Sequence, residues 1–348
     1  MTVFGAPEYA GHELVLHGSD PAVGLRAIIA IHDTSLGPAV GGCRMWPYES
    51  DEAALRDVLR LSRAMTYKCA LAGLPFGGGK SVILGDPRAD KSDSLLERFG
   101  RLVDLLGGIY RVGEDVGIGS ADVEVMARAT RHVAGIRQGE HASGDPSPFT
   151  ARGVLVGMRI AVHHQLGRRD LKGLRIAVQG VGSVGAELCR LLHTEGATLV
   201  VADRDPQRAR YATESWGAET VPPEAIWEAP VDVFAPCALG AVLDDRTIPR
   251  LRASVVAGAA NDQLAENRHG DELRRRQILY APDYVINAGG VINGSGEILG
   301  HYDPAEAWRR VERIGPRLEE ILRLSDLEGV APNRVADAMA EKILAAAR

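Results

Sequence analysis

Arg175-Ile176-Ala177-Val178-Gln179-Gly180-Val181-Gly182-Ser183-Val184-Gly185 decides the fold. An apolar run of strand character, Arg175–Gln179, enters a GxGxxG turn and then the helical stretch Ser183–His193. A second strand-like run, Thr198–Ala202, ends at Asp203, 18 residues beyond Gly185. Glycines that open a helix after a strand, with an acid at the next strand end, form the dinucleotide-binding arrangement. Gly180 permits the tight turn, Gly182 lets backbone approach a pyrophosphate, and Gly185 allows close helix–strand packing. The helix start, at Ser183 and Val184, offers N–H groups and a positive dipole end to phosphates. Asp203 would accept from a ribose 2′-OH and repel a 2′-phosphate, so the expected cofactor is NAD. Arg204 pulls the other way, and Asp205 offsets it.

Around this unit the same alternation continues. Asp232–Ala235, Ser254–Ala257 and Ile278–Tyr280 read as strands without polar alternation, as expected for a sheet covered on both faces. Cys237 and Ala238 follow one strand end, Ala260 and Asn261 another, where such folds bind ligands. No base accompanies Cys237, which reads as a packed thiol. Upstream, Glu13–His17, Arg26–Ile31, Ser81–Leu84 and Ile109–Val112 read as strands, and Glu52–Ala70 and Ser92–Leu106 as helices. Gly135–Pro148, GIRQGEHASGDPSP, is rich in turn residues and reads as a hinge before a helix over Phe149–Gln165. Pro304–Arg348 holds two amphipathic helical stretches. The expectation is an α/β protein of two domains with a cleft between them. An N-terminal α/β substrate domain covers 1–136 with a C-terminal helix, 329–348. A Rossmann dinucleotide-binding domain covers 137–328.

A length of 348 residues suits two domains at roughly 100–200 residues each. A net charge of −6 leaves no basic excess for a large nucleic-acid footprint. No apolar run reaches the roughly 20 residues that span a bilayer. Met1-Thr2-Val3-Phe4-Gly5 lacks the features of a signal peptide. The four cysteines are scattered without a CxxC pair, against a zinc or disulfide framework. A cytoplasmic protein with no metal, nucleic-acid or membrane partner is expected.

Three residues of the first half carry chemistry. Lys68 falls three residues after Met65 on the stripe Leu55, Val58, Leu61, Met65, so the helical period places it on the apolar face. A buried ammonium needs an anion; the alternative is a lysine that snorkels from a helix end. Lys80 follows Gly77-Gly78-Gly79, a run that makes sense where backbone lies flush against a ligand. Leu74 stands where a P-loop needs glycine, so Lys80 is not a nucleotide-phosphate lysine. A desolvated lysine near a second cation can act as a base; the alternative is a flexible loop with a surface lysine. Asp115 lies between glycines after a strand, a setting common to active sites and plain turns.

These segments together resemble the amino-acid dehydrogenases of the glutamate/leucine/phenylalanine/valine group, and within it the leucine dehydrogenases. The resemblance runs from about Ala27 to Val335. It is carried by IAIHDTSLGPAVGGCRMW (Ile29–Trp46), MTYK (Met65–Lys68), GGGKSVILGDPR (Gly77–Arg88), EDVG (Glu114–Gly117), GDPSPFTARG (Gly144–Gly153), AVQGVGSVG (Ala177–Gly185), APCALGA (Ala235–Ala241), AGAAN (Ala257–Asn261) and APDYVINAGGVIN (Ala281–Asn293). It implies reversible NAD-dependent deamination of an L-amino acid to a 2-oxo acid and ammonia by a homo-oligomer, dimer or larger. Lys68 would bind the substrate carboxylate, with Asn261, Gly41 and Gly42 near the substrate. Lys80 would activate water, and Asp115 would shuttle the amine proton. Ser147 and Thr150 would lie by the nicotinamide, with Cys237, Ala238, Ala260 and Asn261 also on the cofactor side. The side-chain pocket would be lined by Val40, Gly41, Met65, Gly113, Val291 and Gly294. The leucine branch carries leucine, alanine and valine in place of Val40, Gly113 and Gly294, so a widened apolar pocket is expected. Alternatives are a phenylalanine or broad-range dehydrogenase and, from another class, a catalytically inactive NAD-binding regulator.

Overall fold

The computed structural model describes residues 2–136, 142–238 and 240–348. Their contacts separate the chain into two units. One comprises Met1–Asp145, Gly294–Pro304 and Ala340–Arg348; the other comprises Pro146–Asn293 and Ala305–Met339. The expected boundary at 136/137 and the centre of the expected hinge fall on 137–141, outside the described residues. Among the described residues no helix is long and apolar enough to cross a membrane.

The first unit contains β1 (Leu14–Asp20), β2 (Leu25–Asp33), β3 (Ala39–Trp46), α1 (Asp51–Leu71), β4 (Gly77–Leu84), α2 (Asp93–Asp104), β5 (Tyr110–Gly113) and α3 (Ser120–Ala127). Its sheet has the order β1-β2-β4-β3-β5. β2 is antiparallel to β1 and β4, whereas β3 runs parallel to β4 and β5. Ser50 and Ser92 start the two longer helices by accepting from the backbone N–H of Ala53 and Leu95. Successive residues of β2 serve opposite faces. Ile29 and Ile31 join Met45 and Phe99 in one core, and Ile28 and Ala30 join Val58, Leu59 and Val82 in the other. Burial on both faces removes the polar alternation that would otherwise mark the strand.

β3 and α3 were not anticipated, and β4 begins at Gly77 rather than Ser81. Gly41-Gly42 and Gly77–Gly79 lack the side chains on which strand periodicity rests. Pairing with neighbouring strands makes these segments extended.

The second unit begins with α4 (Ser147–Leu166), which takes in two residues of the expected hinge. There follow β6 (Arg175–Gln179), α5 (Ser183–Thr194), β7 (Thr198–Ala202), α6 (Pro206–Trp216), β8 (Glu219–Thr220), β9 (Val233–Pro236), β10 (Val255–Val256), α7 (Arg268–Arg275), β11 (Leu279–Tyr280) and α8 (Asp283–Ile286). The sheet order is β11-β10-β9-β6-β7-β8, all parallel. The strand order reverses at β6, with β7 on one side and β9 on the other. This is the switch point at which doubly wound sheets bind ligands. The tail holds α9 (Gly289–Ile298), α10 (Pro304–Glu312), α11 (Ile314–Glu328) and α12 (Pro332–Ala347), one helix more from Pro304 onward than its sequence period suggested. α9 and α12 each begin in the second unit and end in the first.

Two histidines are buried beside α1. His32 Nδ1 lies 2.9 Å from Thr66 Oγ1, and its ring is 4.9 Å from that of His12. Desolvation, then the charges of His12 and Arg63, lowers His32 from 6.5 to about 4. The folded chain therefore binds this proton less readily than the unfolded chain. Stability is whole above about pH 6.5 and falls as pH drops, by about 3 kcal/mol at pH 4 for this group. Denaturant titrations at pH 7 and 4.5 should show a smaller acid loss in His32→Gln than in the wild type. Equal losses would show that His32 is not the acid-labile group.

Candidate active site

β3 separates β4 from β5, and at Gly42 it leaves a gap where a side chain would meet Asp115. A Cβ on Gly41 would overlap the Gly79 carbonyl, and one on Gly42 would come 2.8 Å from Asp115 Cβ. Through this gap Lys80 Nζ on β4 reaches Asp115 Oδ2, just beyond β5, at 2.9 Å. Lys80 is 4 % exposed and the Asp115 side chain 12 %. Burial alone would raise the Asp115 carboxyl. The Lys80 ammonium and the Arg44 guanidinium overcome it and hold the group at about 2, so it is ionised at neutral pH. Lys80 is thus a strand residue with a buried partner, not a surface lysine on a flexible loop.

The glycine run before Lys80 also has a different cause from the one its sequence suggested. A Cβ on Gly77 would overlap the Asp33 carbonyl, and one on Gly78 the Thr66 backbone nitrogen. On Gly79 it would come 2.8 Å from the Tyr110 ring. Each of the three glycines therefore fits against neighbouring parts of the chain itself. Lys68 is 7 % exposed, so it is buried as expected, but residues 66–71 are buried on every side and the helical period does not single it out. Met65 on the same helix is half-buried, and Val40 on β3 is buried.

Two features of this unit had no counterpart in the sequence reading. Arg44 on β3 donates through Nε to Asp115 Oδ2 at 3.0 Å and through Nη1 to Asp57 Oδ2 at 2.8 Å. Glu297 near the end of α9 accepts from the backbone N–H of Gly135, Ile136 and Ser143 at 2.9–3.2 Å, and from the Ser143 hydroxyl at 2.5 Å. Gly294, one helical turn before Glu297, faces open space: a Cβ there would meet nothing within 4 Å. A Cβ on Gly113 would touch only the Ala134 carbonyl, at 3.4 Å. The motif IAIHDTSLGPAVGGCRMW contains Arg44, but no spacing rule joins that residue to Asp115.

In the second unit the glycine fingerprint lies at the carboxyl end of β6. Gly180 has φ +95°, which favours glycine, and a Cβ there would crowd the Ala238 nitrogen at 3.0 Å. A Cβ on Gly185 would overlap the Gly180 carbonyl, so α5 starts flush against the turn. At Gly182, by contrast, the nearest atom to an added Cβ is Arg208 Nη1 at 3.6 Å. The space before this helix start is open, as a dinucleotide pyrophosphate requires, and the first-turn N–H groups at Ser183 and Val184 have no side-chain cap. Asp203 Oδ2 accepts from Val181 N at 2.7 Å and Oδ1 from Asp205 N at 2.8 Å, which fixes the carboxylate beside the loop.

The loop after β9 lies alongside, with Cys237 N donating to the Gln179 carbonyl at 2.7 Å. Burial pushes the Cys237 thiol up to about 12, so it carries no thiolate. After β10, Ala260 is buried and Asn261 exposed. Asn287 Nδ2 donates to Asn261 Oδ1 at 2.9 Å, and Gln263 Nε2 to the carbonyls of Gly258 and Ala260. Thr150 Oγ1 in the first turns of α4 donates to the Pro146 carbonyl at 3.0 Å, and Ser147 is buried there. Val291 lies in the second-unit part of α9. Asp245, Glu266 and His269 come within 4.8 Å of one another, but Arg268 already bridges the two carboxylates.

Comparison with known proteins accounts for both halves. Residues 14–135 match the Glu/Leu/Phe/Val dehydrogenase dimerisation domain, and residues 202–323 match the Glutamate/Leucine/Phenylalanine/Valine dehydrogenase domain. The chain is 49 % identical over 342 residues to leucine dehydrogenase of Bacillus subtilis strain 168, covering 98 % of this chain and 94 % of that one. It is 43 % identical to phenylalanine dehydrogenase of Bacillus thermotolerans, over 95 % of this chain and 88 % of that one. The crystal structure of L-tryptophan dehydrogenase from Nostoc punctiforme superposes with a TM-score of 0.79 at 44 % identity, over 97 % of each chain. A parallel sheet with a dinucleotide fingerprint, a separate sheet holding a buried lysine–aspartate pair, and identity at this level over nearly the whole length all lead to one assignment. The chain belongs to the Glu/Leu/Phe/Val dehydrogenase family and is an amino-acid dehydrogenase, acting by oxidative deamination.

Proposed function

We propose that the substrates are apolar L-amino acids, with leucine and other branched side chains accepted and larger ones tolerated, and that the cofactor is NAD. The buried Lys80–Asp115 pair carries this reading, because it joins a proton carrier to a base at one place. Lys68 binds the substrate carboxylate, and Asn261 contacts the substrate. Asp115 receives the amine proton. Held by the glycine turn after β6, NAD would supply the hydride acceptor for the substrate α-carbon. Lys80, once its own proton has passed to solvent, takes a proton from the water that attacks the imine carbon and hands it to the nitrogen, and the C–N bond breaks to give the 2-oxo acid and ammonia. Gly41 and Gly42 leave backbone bare beside the Lys80–Asp115 pair for the substrate to approach. Val40, Gly41, Met65, Gly113 and Gly294 line an apolar side-chain pocket. The similarity to chains named for tryptophan and phenylalanine supports tolerance of large side chains. The test is a panel of L-amino acids with NAD at alkaline pH, and of 2-oxo acids with ammonia and NADH. Absence of turnover throughout would refute the reading.

On the cofactor side, Gly180, Gly182, Ser183, Val184 and Gly185 cradle the pyrophosphate, and Asp203 binds the ribose. Ser147, Thr150, Cys237, Ala238 and Ala260 complete that side. Asp203 stands against a 2′-phosphate, while Arg204 and Arg208 favour one. A like charge set against a ligand costs several kcal/mol, so kcat/KM should favour NAD over NADP by roughly tenfold or more. Equal or better use of NADP would show that the arginines dominate. A homo-oligomer, dimer or larger, is proposed from the dimerisation domain that residues 14–135 match, and light scattering on the purified protein decides it.

A further inference from the structure

We infer that Arg44 is a positioning residue of this reaction: together with Lys80 it binds Oδ2 of Asp115 and leaves Oδ1 as the oxygen that meets the substrate amine. The inference rests on the reading of Lys80 and Asp115 given above. Lys80 Nζ at 2.9 Å and Arg44 Nε at 3.0 Å both fall on Oδ2, and among the described residues no donor falls on Oδ1. A carboxylate held by one oxygen from two directions has a fixed rotamer and one oxygen to spare.

Arg44 is itself fixed from behind. Its Nη1 donates to Asp57 Oδ2, which also accepts from the Tyr48 hydroxyl at 2.6 Å, while Arg60 reaches Asp57 Oδ1 at 3.4 Å. The side chains of Arg44 and Asp57 are 18 % and 13 % exposed, so this fork lies largely out of water. A guanidinium can serve two carboxylates through separate N–H groups in one plane, which an ammonium on a flexible stem does not reproduce.

The test uses opposite charges. The acid limb of kcat/KM belongs to the Lys80–Asp115 pair. The other titratable groups near the pair include Cys43, Tyr48 and Tyr110, all kept neutral by burial, and Asp122, which is paired with Lys91 at 2.8 Å. Arg44→Gln removes a positive charge beside the pair, so proton loss becomes harder and the limb moves to higher pH. Asp57→Asn removes a negative charge behind Arg44, so the limb moves to lower pH. Both variants loosen the carboxylate and should lower kcat, by about tenfold to 10²-fold in Arg44→Gln, with little change in the amino-acid KM. Arg44→Lys restores the charge without the fork and should recover the limb but only part of kcat. A purely structural role would lower thermal stability in all three and leave the limb in place. Should Arg44→Gln fail to fold, the downward shift in Asp57→Asn decides. An unmoved limb in the folded variants, with an active wild type, overturns the inference alone. A wild type inactive on every amino acid overturns the reading of function, and this role with it.

Discussion

Lys80→Ala is expected to lose at least 10²–10⁴-fold in turnover, roughly the range general acid–base catalysis contributes. In the wild type the ammonium is buried on β4 and holds Asp115 at 2.9 Å through the gap in β3. The truncated side chain can neither take a proton from water nor share one with Asp115. Arg44 still faces the carboxylate, so the variant keeps a partner for its buried charge and should fold. The loss should appear in kcat, while the dissociation constant for NADH, measured by fluorescence titration, stays within about twofold, because the fingerprint lies on the other unit. Near-normal turnover by a folded Lys80→Ala would remove Lys80 from the chemistry.

The second large effect concerns substrate size. The resemblance implies that Gly113 and Gly294 stand where the leucine branch carries alanine and valine, and Val40 where it carries leucine. A Cβ on Gly294 would meet nothing within 4 Å, and one on Gly113 only the Ala134 carbonyl at ordinary contact distance. Both positions can therefore accept a Cβ without disturbing their neighbours. Apolar space is worth roughly 0.8 kcal/mol per buried CH₂, and a hydrophobic pocket separates substrates differing by one methylene by about 10–200-fold. The wild type should turn over L-Phe and L-Met beside L-Leu, L-Ile and L-Val. The double variant Gly113→Ala, Gly294→Val should lower kcat/KM for L-Phe relative to L-Leu by about 10²-fold. If Phe76, which is buried just before β4, closes the space instead, L-Phe is a poor substrate of the wild type and the ratio does not move.

The sequence by itself determined the dinucleotide half almost completely. β6 and β7 have the bounds read from their apolar runs, and Asp203 stands where an 18-residue interval from Gly185 placed it. Strand, turn, helix and strand are consecutive there, so every contact that shapes the loop is made within about 30 residues and leaves a local pattern. The burial of Lys68 was expected from the helical period of α1, but residues 66–71 are buried on every side, so the packing of the helix end and not its period hides the lysine.

Tertiary structure decided what lies across β3. Lys80, Asp115, Arg44 and Asp57 come from four separate segments, joined by strand pairings that nothing local encodes. Gly42, where a Cβ would meet Asp115, permits this meeting, and together with Gly41, Gly78 and Gly79 it erased the periodicity by which β3 and the start of β4 would have been read. They have no side chains because neighbouring strands and helices occupy that space, and only the assembled sheet shows those neighbours.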